Sequence, residues 1–124
     1  SGILALVGLL YGAKHALLVD IDEDAVAVSR ENAERNNMLD RTEFLASGVE
    51  GVRGTFPVVL ANIEARVLIP MADALIAKVD PGGLLVLSGI LVPQADSVIE
   101  AYAALTFVDQ KVRGEWVSLV FKRA

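Results

Sequence analysis

The sequence contains no cysteine, which excludes a disulfide framework and a thiolate metal site. It also lacks the run of about 18 apolar residues that a membrane-spanning helix needs. The apolar opening, Ile3 to Tyr11, is too short and has no basic flank, so a signal peptide is not expected either. Basic residues are few, with 11 Lys and Arg against 16 Asp and Glu. We therefore expect no direct nucleic-acid binding and no membrane association, a pattern typical of a cytoplasmic protein.

Apolar residues are in excess, at 54% of the 124 residues. Globular domains usually have about 45–50%, and a strand buried on both faces explains part of the difference. A missing partner segment that covers apolar surface explains the rest. The length suits one domain, and no linker or repeat divides it. Because the chain starts at Ser1-Gly2 and not at Met, we expect a single, N-terminally truncated domain over residues 1–124.

Short apolar runs alternate with segments of helical periodicity along the chain. The expected strands cover residues 16–19, 42–46, 58–61, 84–87, 106–112 and 116–121. A turn is expected over residues 80–83, and Ser88-Gly89 should end the strand that follows it. The expected helices cover residues 3–11, 23–36, 67–79 and 94–104. Asp22 is expected to cap the second of these, and Asn36-Asn37 to end it. The helix expected over residues 67–79 can form only if Pro70 lies in its first turn. This alternation predicts an α/β fold with a doubly wound, mostly parallel sheet, and the last two strands should form an antiparallel hairpin.

Ligands of open α/β sheets bind at the carboxyl ends of strands, so polar residues there are site candidates. Asp20 ends the first expected strand, some 18 residues after Gly2. A carboxylate at this spacing from a glycine loop is placed to accept hydrogen bonds from a ribose, although Asp20 could equally cap the next helix. Ser47 and Ser88 follow two other strands. Asn62 follows a further strand and could bind an amine or serve as a helix N-cap.

Three other residues invite a functional interpretation. Ser1-Gly2 fits the tail of a glycine-rich loop at a helix N-terminus, but two residues also fit a cloning remnant. His15 is the sole histidine and is interpreted as a surface residue, not a base. Trp116 is interpreted as strand packing, not a substrate platform. No spacing of carboxylates indicates a metal site.

Six segments resemble one known family in order and spacing. They are Ser1–Ala5, Val19–Asp22, Ser29–Asn36, Leu60–Ile63, Pro81–Gly83 with Leu87–Leu91, and Gly114–Trp116. The first resembles the end of the glycine motif of class I S-adenosylmethionine (SAM)-dependent methyltransferases, and the second their acidic second-strand motif. Together the segments are similar to the Rossmann-like methyltransferases that modify the bacterial ribosomal protein L11.

The resemblance implies a transferase with SAM as its cofactor. Gly2 would end the glycine loop, Asp20 would bind the ribose, and Ile21 would pack near the adenine, with Ser47 in a turn beside it. Asn62 would face both the methyl group and the incoming amine, as a catalytic and cofactor-binding residue. The family trimethylates lysine side chains and the N-terminal α-amine of its substrate, which it recognises through an N-terminal domain.

The sequence departs from the family pattern in two ways. The family's first strand and the Asp-x-Gly-x-Gly start of its loop are absent, as is the N-terminal recognition domain. Pro57 stands where the family usually has an acidic residue. Since proline cannot donate to a sheet ladder, we expect this strand to start one residue late, at Val58, with little effect on Asn62.

Two other functions remain open from the sequence. The chain could be a catalytically inactive fragment or interaction module that self-associates, because a missing central strand leaves unpaired sheet edges. It could also be a nicotinamide-dependent dehydrogenase, in which the same acidic strand end occurs. The tract Ala61-Asn62-Ile63, the terminal hairpin and the lack of a candidate acid beyond His15 argue against the dehydrogenase.

Overall fold

The structure, a computed structural model, describes residues 15–20 and 22–124, and only the backbone of Ala16, Val19 and Asp20. The helix expected over residues 3–11 and the site candidates Gly2 and Ile21 lie outside the described residues. The chain divides into two compact units, Ser1–Arg53 and Gly54–Ala124. Within the described residues, every helix is too short or too polar to traverse a bilayer.

The first unit contains a βαβ arrangement, as the sequence predicts. Strand β1 is Ala16–Asp20, helix α1 is Glu23–Arg35 and strand β2 is Thr42–Ala46. The two strands pair in parallel, so that Asp20 lies opposite Ala46 at their carboxyl ends. Short 3-10 turns at Leu39–Arg41 and Val49–Gly51 lead into and away from β2.

Local hydrogen bonds determine both ends of α1. The Asp22 carboxylate accepts a bond from the Asp24 amide at 2.9 Å, which confirms the predicted N-cap. At the other end Asn37 has a φ of 57°, and the amides of Asn37 and Met38 donate to the carbonyls of Glu34 and Ala33. This pattern satisfies carbonyls that the last helical turn would otherwise leave free.

The second unit is built on a four-stranded sheet. Its strands, in chain order, are β3 Phe56–Asn62, β4 Val79–Leu91, β5 Thr106–Arg113 and β6 Trp116–Lys122. The spatial order is β3-β4-β6-β5; β3 and β4 are parallel, and β6 runs antiparallel to both of its neighbours. The predicted terminal hairpin is therefore confirmed. The helices are α2 Ala65–Leu68, α3 Ala72–Ile76 and α4 Ala95–Ala101, the last shorter than expected.

The single helix expected over residues 67–79 is wrong. Two short helices, α2 and α3, stand in its place, and Pro70 lies between them. Proline has no amide hydrogen, and its ring would collide with the carbonyl of Arg66 in a continuous helix. Pro70 therefore interrupts the helix, because α2 has already begun five residues earlier, at Ala65.

The bounds expected for β3 and β4 also need correction. β3 begins at Phe56, not at Val58, because Phe56 pairs with Val79 and Val58 with Leu84. The register shift falls at Pro57, where no ladder donor is needed. The turn expected over residues 80–83 is thus an excursion within β4, with Gly82 at a φ of 79°. β4 also continues past Ser88-Gly89, its expected end, to Leu91.

Every second residue of β6 points into the core of the second unit. Val117, Leu119 and Phe121 are buried, and the residues between them are more exposed. The Phe121 ring lies 5.6 Å from the ring of Tyr102, centroid to centroid, just beyond α4. Both side chains are fully buried, so this pair joins the hairpin to the helical layer.

Removing the Tyr102 hydroxyl is expected to destabilise the protein. This hydroxyl donates to the Leu68 carbonyl at 2.8 Å, and burial raises the pKa of Tyr102, which keeps the donor protonated. Tyr102→Phe should leave that carbonyl without a partner and lower the free energy of unfolding by about 1–2 kcal/mol, as measured by urea denaturation of the full-length protein.

A matched control deletes an exposed hydroxyl. Thr55 donates to Asp80 at the protein surface. Thr55→Val should change the free energy of unfolding by less than about 0.5 kcal/mol. Equal stability of Tyr102→Phe and the unmodified protein would show that water replaces the lost donor.

Candidate active site

A broad open depression of about 820 Å³ lies in the second unit, where β3 ends and β4 pairs with the hairpin. Asn62, Ser88 and Gly89 line one side of it. Residues of β5 and β6 line the other side: Lys111, Val112, Arg113, Trp116, Val117 and Ser118. The lining that the structure describes contains amide, hydroxyl, cationic and aromatic groups, but no carboxylate and no imidazole.

Parallel pairing places Asn62 in this depression. Asn62 lies opposite Ser88 at the end of the β3–β4 ladder, and the next amide, that of Ile63, donates to the Ser88 carbonyl at 3.2 Å. The Asn62 side chain is exposed. It does not cap the following helix, because the N-cap of α2 is Glu64. The helix-cap interpretation of Asn62 is therefore wrong, and its carboxamide is available to a ligand.

The hairpin contributes residues that the sequence analysis missed. Lys111 lies opposite Ser118, and Arg113 lies opposite Trp116, across the β5–β6 pair. Alternate residues of a strand share a face, so the two cations point to one side. In the sequence, the i, i+2 spacing of Lys111 and Arg113 within a predicted hairpin strand indicates that the two cations share a face. Trp116, interpreted as strand packing, is 50% exposed and lines the depression.

The other candidates belong to the first unit. Asp20 ends β1 opposite Ala46, and Ser47 follows Ala46 directly, so the backbone brings both candidates to one edge of the strand pair. The Ser47 hydroxyl donates to the Gly48 carbonyl at 2.7 Å. His15 is a surface residue, as predicted, with Nε2 3.7 Å from the Glu43 carboxylate. Among the described residues, no three His, Asp or Glu side chains cluster as a metal ion would require.

Comparisons with known proteins agree with this architecture. The family model described as ribosomal protein L11 methyltransferase (PrmA) matches residues 1–124. A ribosomal protein L11 methyltransferase of Sorangium cellulosum is 52% identical over 105 residues, which cover 85% of this chain and 33% of the relative. That of Pelobacter propionicus is 42% identical over 126 residues, covering 100% of this chain and 41% of the relative. The chain thus spans well under half the length of these relatives.

Solved structures show the same fold. A ribosomal protein L11 methylase from Lactobacillus delbrueckii superposes with a TM-score of 0.93 at 27% identity, over 98% of this chain and 65% of that one. A methyltransferase from Pyrococcus furiosus superposes with a TM-score of 0.83 at 20% identity, over 100% and 70% of the two chains. The predicted α/β methyltransferase fold with a C-terminal antiparallel hairpin is confirmed.

Proposed function

Because this chain belongs to the ribosomal protein L11 methyltransferase family, we propose that it forms the cofactor- and amine-binding part of a SAM-dependent protein N-methyltransferase. The observation that carries the proposal is the exposed Asn62 carboxamide, held at the carboxyl end of β3 in an open depression. The full-length protein would methylate amino groups of ribosomal protein L11, and a ribosomal substrate implies the cytoplasm. The names of the relatives favour this enzyme over an interaction module or a dehydrogenase.

Recognition of the ribosomal protein is assigned to a part of the protein outside this sequence. The relatives are more than twice as long as the chain, which leaves room for a separate recognition domain. From the resemblance to the family, we expect that domain on the N-terminal side. Within the chain itself, the hairpin side of the depression would contact the substrate next to the amine.

We assign the cofactor to the carboxyl ends of β1 and β2 in the first unit. Asp20 ends β1 beside the turn that contains Ser47, at the edge of the strand pair where ligands of parallel sheets bind. One carboxylate can accept hydrogen bonds from both hydroxyls of a ribose. Asp20 would therefore hold the SAM ribose and Ser47 would lie near its adenine, while the roles of Gly2 and Ile21 stay predictions. Bound SAM supplies an already activated methyl group.

The residues of this chain then have to orient a neutral amine. The Asn62 carbonyl oxygen can accept a hydrogen bond from an amine N–H, which aligns the nitrogen lone pair for in-line attack. An unperturbed lysine amine has a pKa of about 10.4, so it must lose a proton before it reacts. The positive side chains of Lys111 and Arg113 in the same depression favour the neutral amine. The described lining offers no base, and we propose that the amine loses its proton to water before it attacks.

The cofactor assignment is tested by titration calorimetry of the full-length protein with SAM and with NAD. SAM should bind and NAD should not. Asp20→Ala should raise the Kd for SAM about 10- to 100-fold, because two hydrogen bonds to a charged acceptor are lost. The control is Asp24→Ala, which removes the same charge from an exposed position in the first turn of α1.

Asp24→Ala should change the Kd for SAM by less than about twofold, because an exposed charge acts weakly at a distance. An unchanged Kd in Asp20→Ala would rule out the ribose role of Asp20. Tighter binding of NAD than of SAM would overturn the proposed cofactor itself.

A further inference from the structure

We propose that Gly89 is a positioning residue for the Asn62 carboxamide. Because glycine has no side chain, the carboxamide oxygen of Asn62 can occupy the space beside it. The inference rests on the proposed function, since the position of Asn62 affects activity only if Asn62 contacts the acceptor amine. Gly89 itself need not touch the substrate.

The geometry around Gly89 is tight on one side. A Cβ atom at this position would lie 2.7 Å from Oδ1 of Asn62, and 3.2 Å from both the amide nitrogen and the carbonyl oxygen of Ile63. Ordinary van der Waals contact for a Cβ begins at 3.4 Å. An alanine at position 89 would therefore force a neighbour to move by several tenths of an ångström.

The sheet around Gly89 resists that movement. Leu87 pairs with Leu119 and Ile90 with Val117, so Ser88 and Gly89 form a bulge opposite Ser118. The φ of 79° at Gly89 belongs to the left-handed region that such bulges use. Leu87 and Ile90 on either side are fully buried, which anchors the β4 backbone between β3 and β6.

The Asn62 side chain is therefore the group that we expect to move away from an alanine at position 89. It is exposed at the end of β3, and its carboxamide can rotate at little cost. Rotation would relieve the contact with an alanine Cβ but would move the hydrogen-bond acceptor away from the amine. A misplacement of about 1 Å can lower a reaction rate about 100-fold. Gly89→Ala should thus act mainly on kcat.

Gly82 offers a matched control in the same strand. It has the same φ of 79°, but a Cβ there would meet nothing within 4 Å. Gly82→Ala and Gly89→Ala share the backbone cost of an alanine in the left-handed region, on the order of 5 °C in Tm. Gly89→Ala should lower Tm further, because its Cβ also meets the Ile63 backbone at 3.2 Å. Only Gly89→Ala introduces the contact with Asn62.

The experiment measures kcat for ribosomal protein methylation and the Kd for SAM with the full-length protein. Gly89→Ala should lower kcat about 30- to 100-fold with less than a threefold change in Kd, whereas Gly82→Ala should lower kcat by less than about twofold. In an Asn62→Ala background, Gly89→Ala should lower kcat by less than about threefold further, because Oδ1 is no longer there.

Each other outcome overturns the proposal. Equal kcat values for Gly89→Ala and Gly82→Ala would refute the positioning role alone, provided that Asn62→Ala is severely impaired. An undiminished effect of Gly89→Ala in the Asn62→Ala background would show that Gly89 acts through something else. If Asn62→Ala were fully active, the proposed role of Asn62 would fail as well. Should Gly89→Ala be too unstable to assay, the double variant, which keeps only the 3.2 Å contacts with Ile63, should have a higher Tm than Gly89→Ala. An equal or lower Tm of the double variant would refute the contact with Oδ1.

Discussion

Asn62→Ala in the full-length protein is expected to lower kcat for methylation of the ribosomal protein by about 100- to 1,000-fold, the range that loss of one positioned polar group produces at other active sites. The carboxamide is the acceptor that the β3–β4 ladder holds at the edge of the depression, with Asn62 paired to Ser88. Without it the amine can still enter, but nothing at this position aligns its lone pair. The Kd for SAM should change much less than kcat, since Asp20 and the glycine loop would carry most cofactor contacts.

The matched control for Asn62 is Ser118→Ala. Ser118 lines the same depression from β6, but it lies across the hairpin from Lys111 and not at the end of β3. Its replacement should change kcat by less than about threefold, as for a group that does not orient the amine. A kcat for Asn62→Ala within threefold of the unmodified protein would remove Asn62 from the mechanism.

Asn62→Asp separates orientation from charge. The carboxylate keeps an acceptor oxygen at the same position, but its negative charge favours the protonated amine and raises the pKa of that amine. Activity should therefore fall at neutral pH and recover as the pH is raised, whereas Asn62→Ala should stay impaired at every pH. The pH profile of kcat/KM distinguishes the two variants.

Phe121→Ala is expected to have the largest effect on stability, lowering the free energy of unfolding by about 3–5 kcal/mol. Phe121 is fully buried in β6 and contacts the rings of Tyr102 and Phe107, with centroid distances of 5.6 Å and 5.7 Å. Since β6 lies between β4 and β5, the cavity left by the ring cannot close without breaking one of these pairings. Urea denaturation of the full-length protein measures the loss.

Phe107→Ala is the control for this prediction. Phe107 belongs to the same aromatic group but is 40% exposed on the edge strand β5. Its removal should cost about 1 kcal/mol, because water can occupy the space of an exposed side chain. Similar losses for Phe107→Ala and Phe121→Ala would show that burial does not determine the energetics of the hairpin.

Local sequence determined the elements whose hydrogen bonds connect near neighbours. The helix α1 was predictable from its apolar spacing, from the Asp22 cap and from the Asn36-Asn37 end, because each of these contacts spans at most five residues. The hairpin was predictable from two apolar runs around Gly114. The position of Asn62 at a strand end followed from the pattern of the strand alone. The resemblance to the methyltransferase family followed from six short tracts of sequence.

Tertiary structure alone decided the features that depend on strand register. The sequence predicted that Pro57 delays β3 and that β4 ends at Ser88-Gly89. In the structure β4 accommodates Pro57 through the excursion at residues 80–83 and continues past Gly89 through a bulge. These outcomes depend on pairing between residues distant in the chain, which local propensity does not contain. For the same reason only the folded sheet shows that Lys111 and Trp116 line the depression with Asn62, and that a glycine next to Ser88 leaves room for the Asn62 carboxamide.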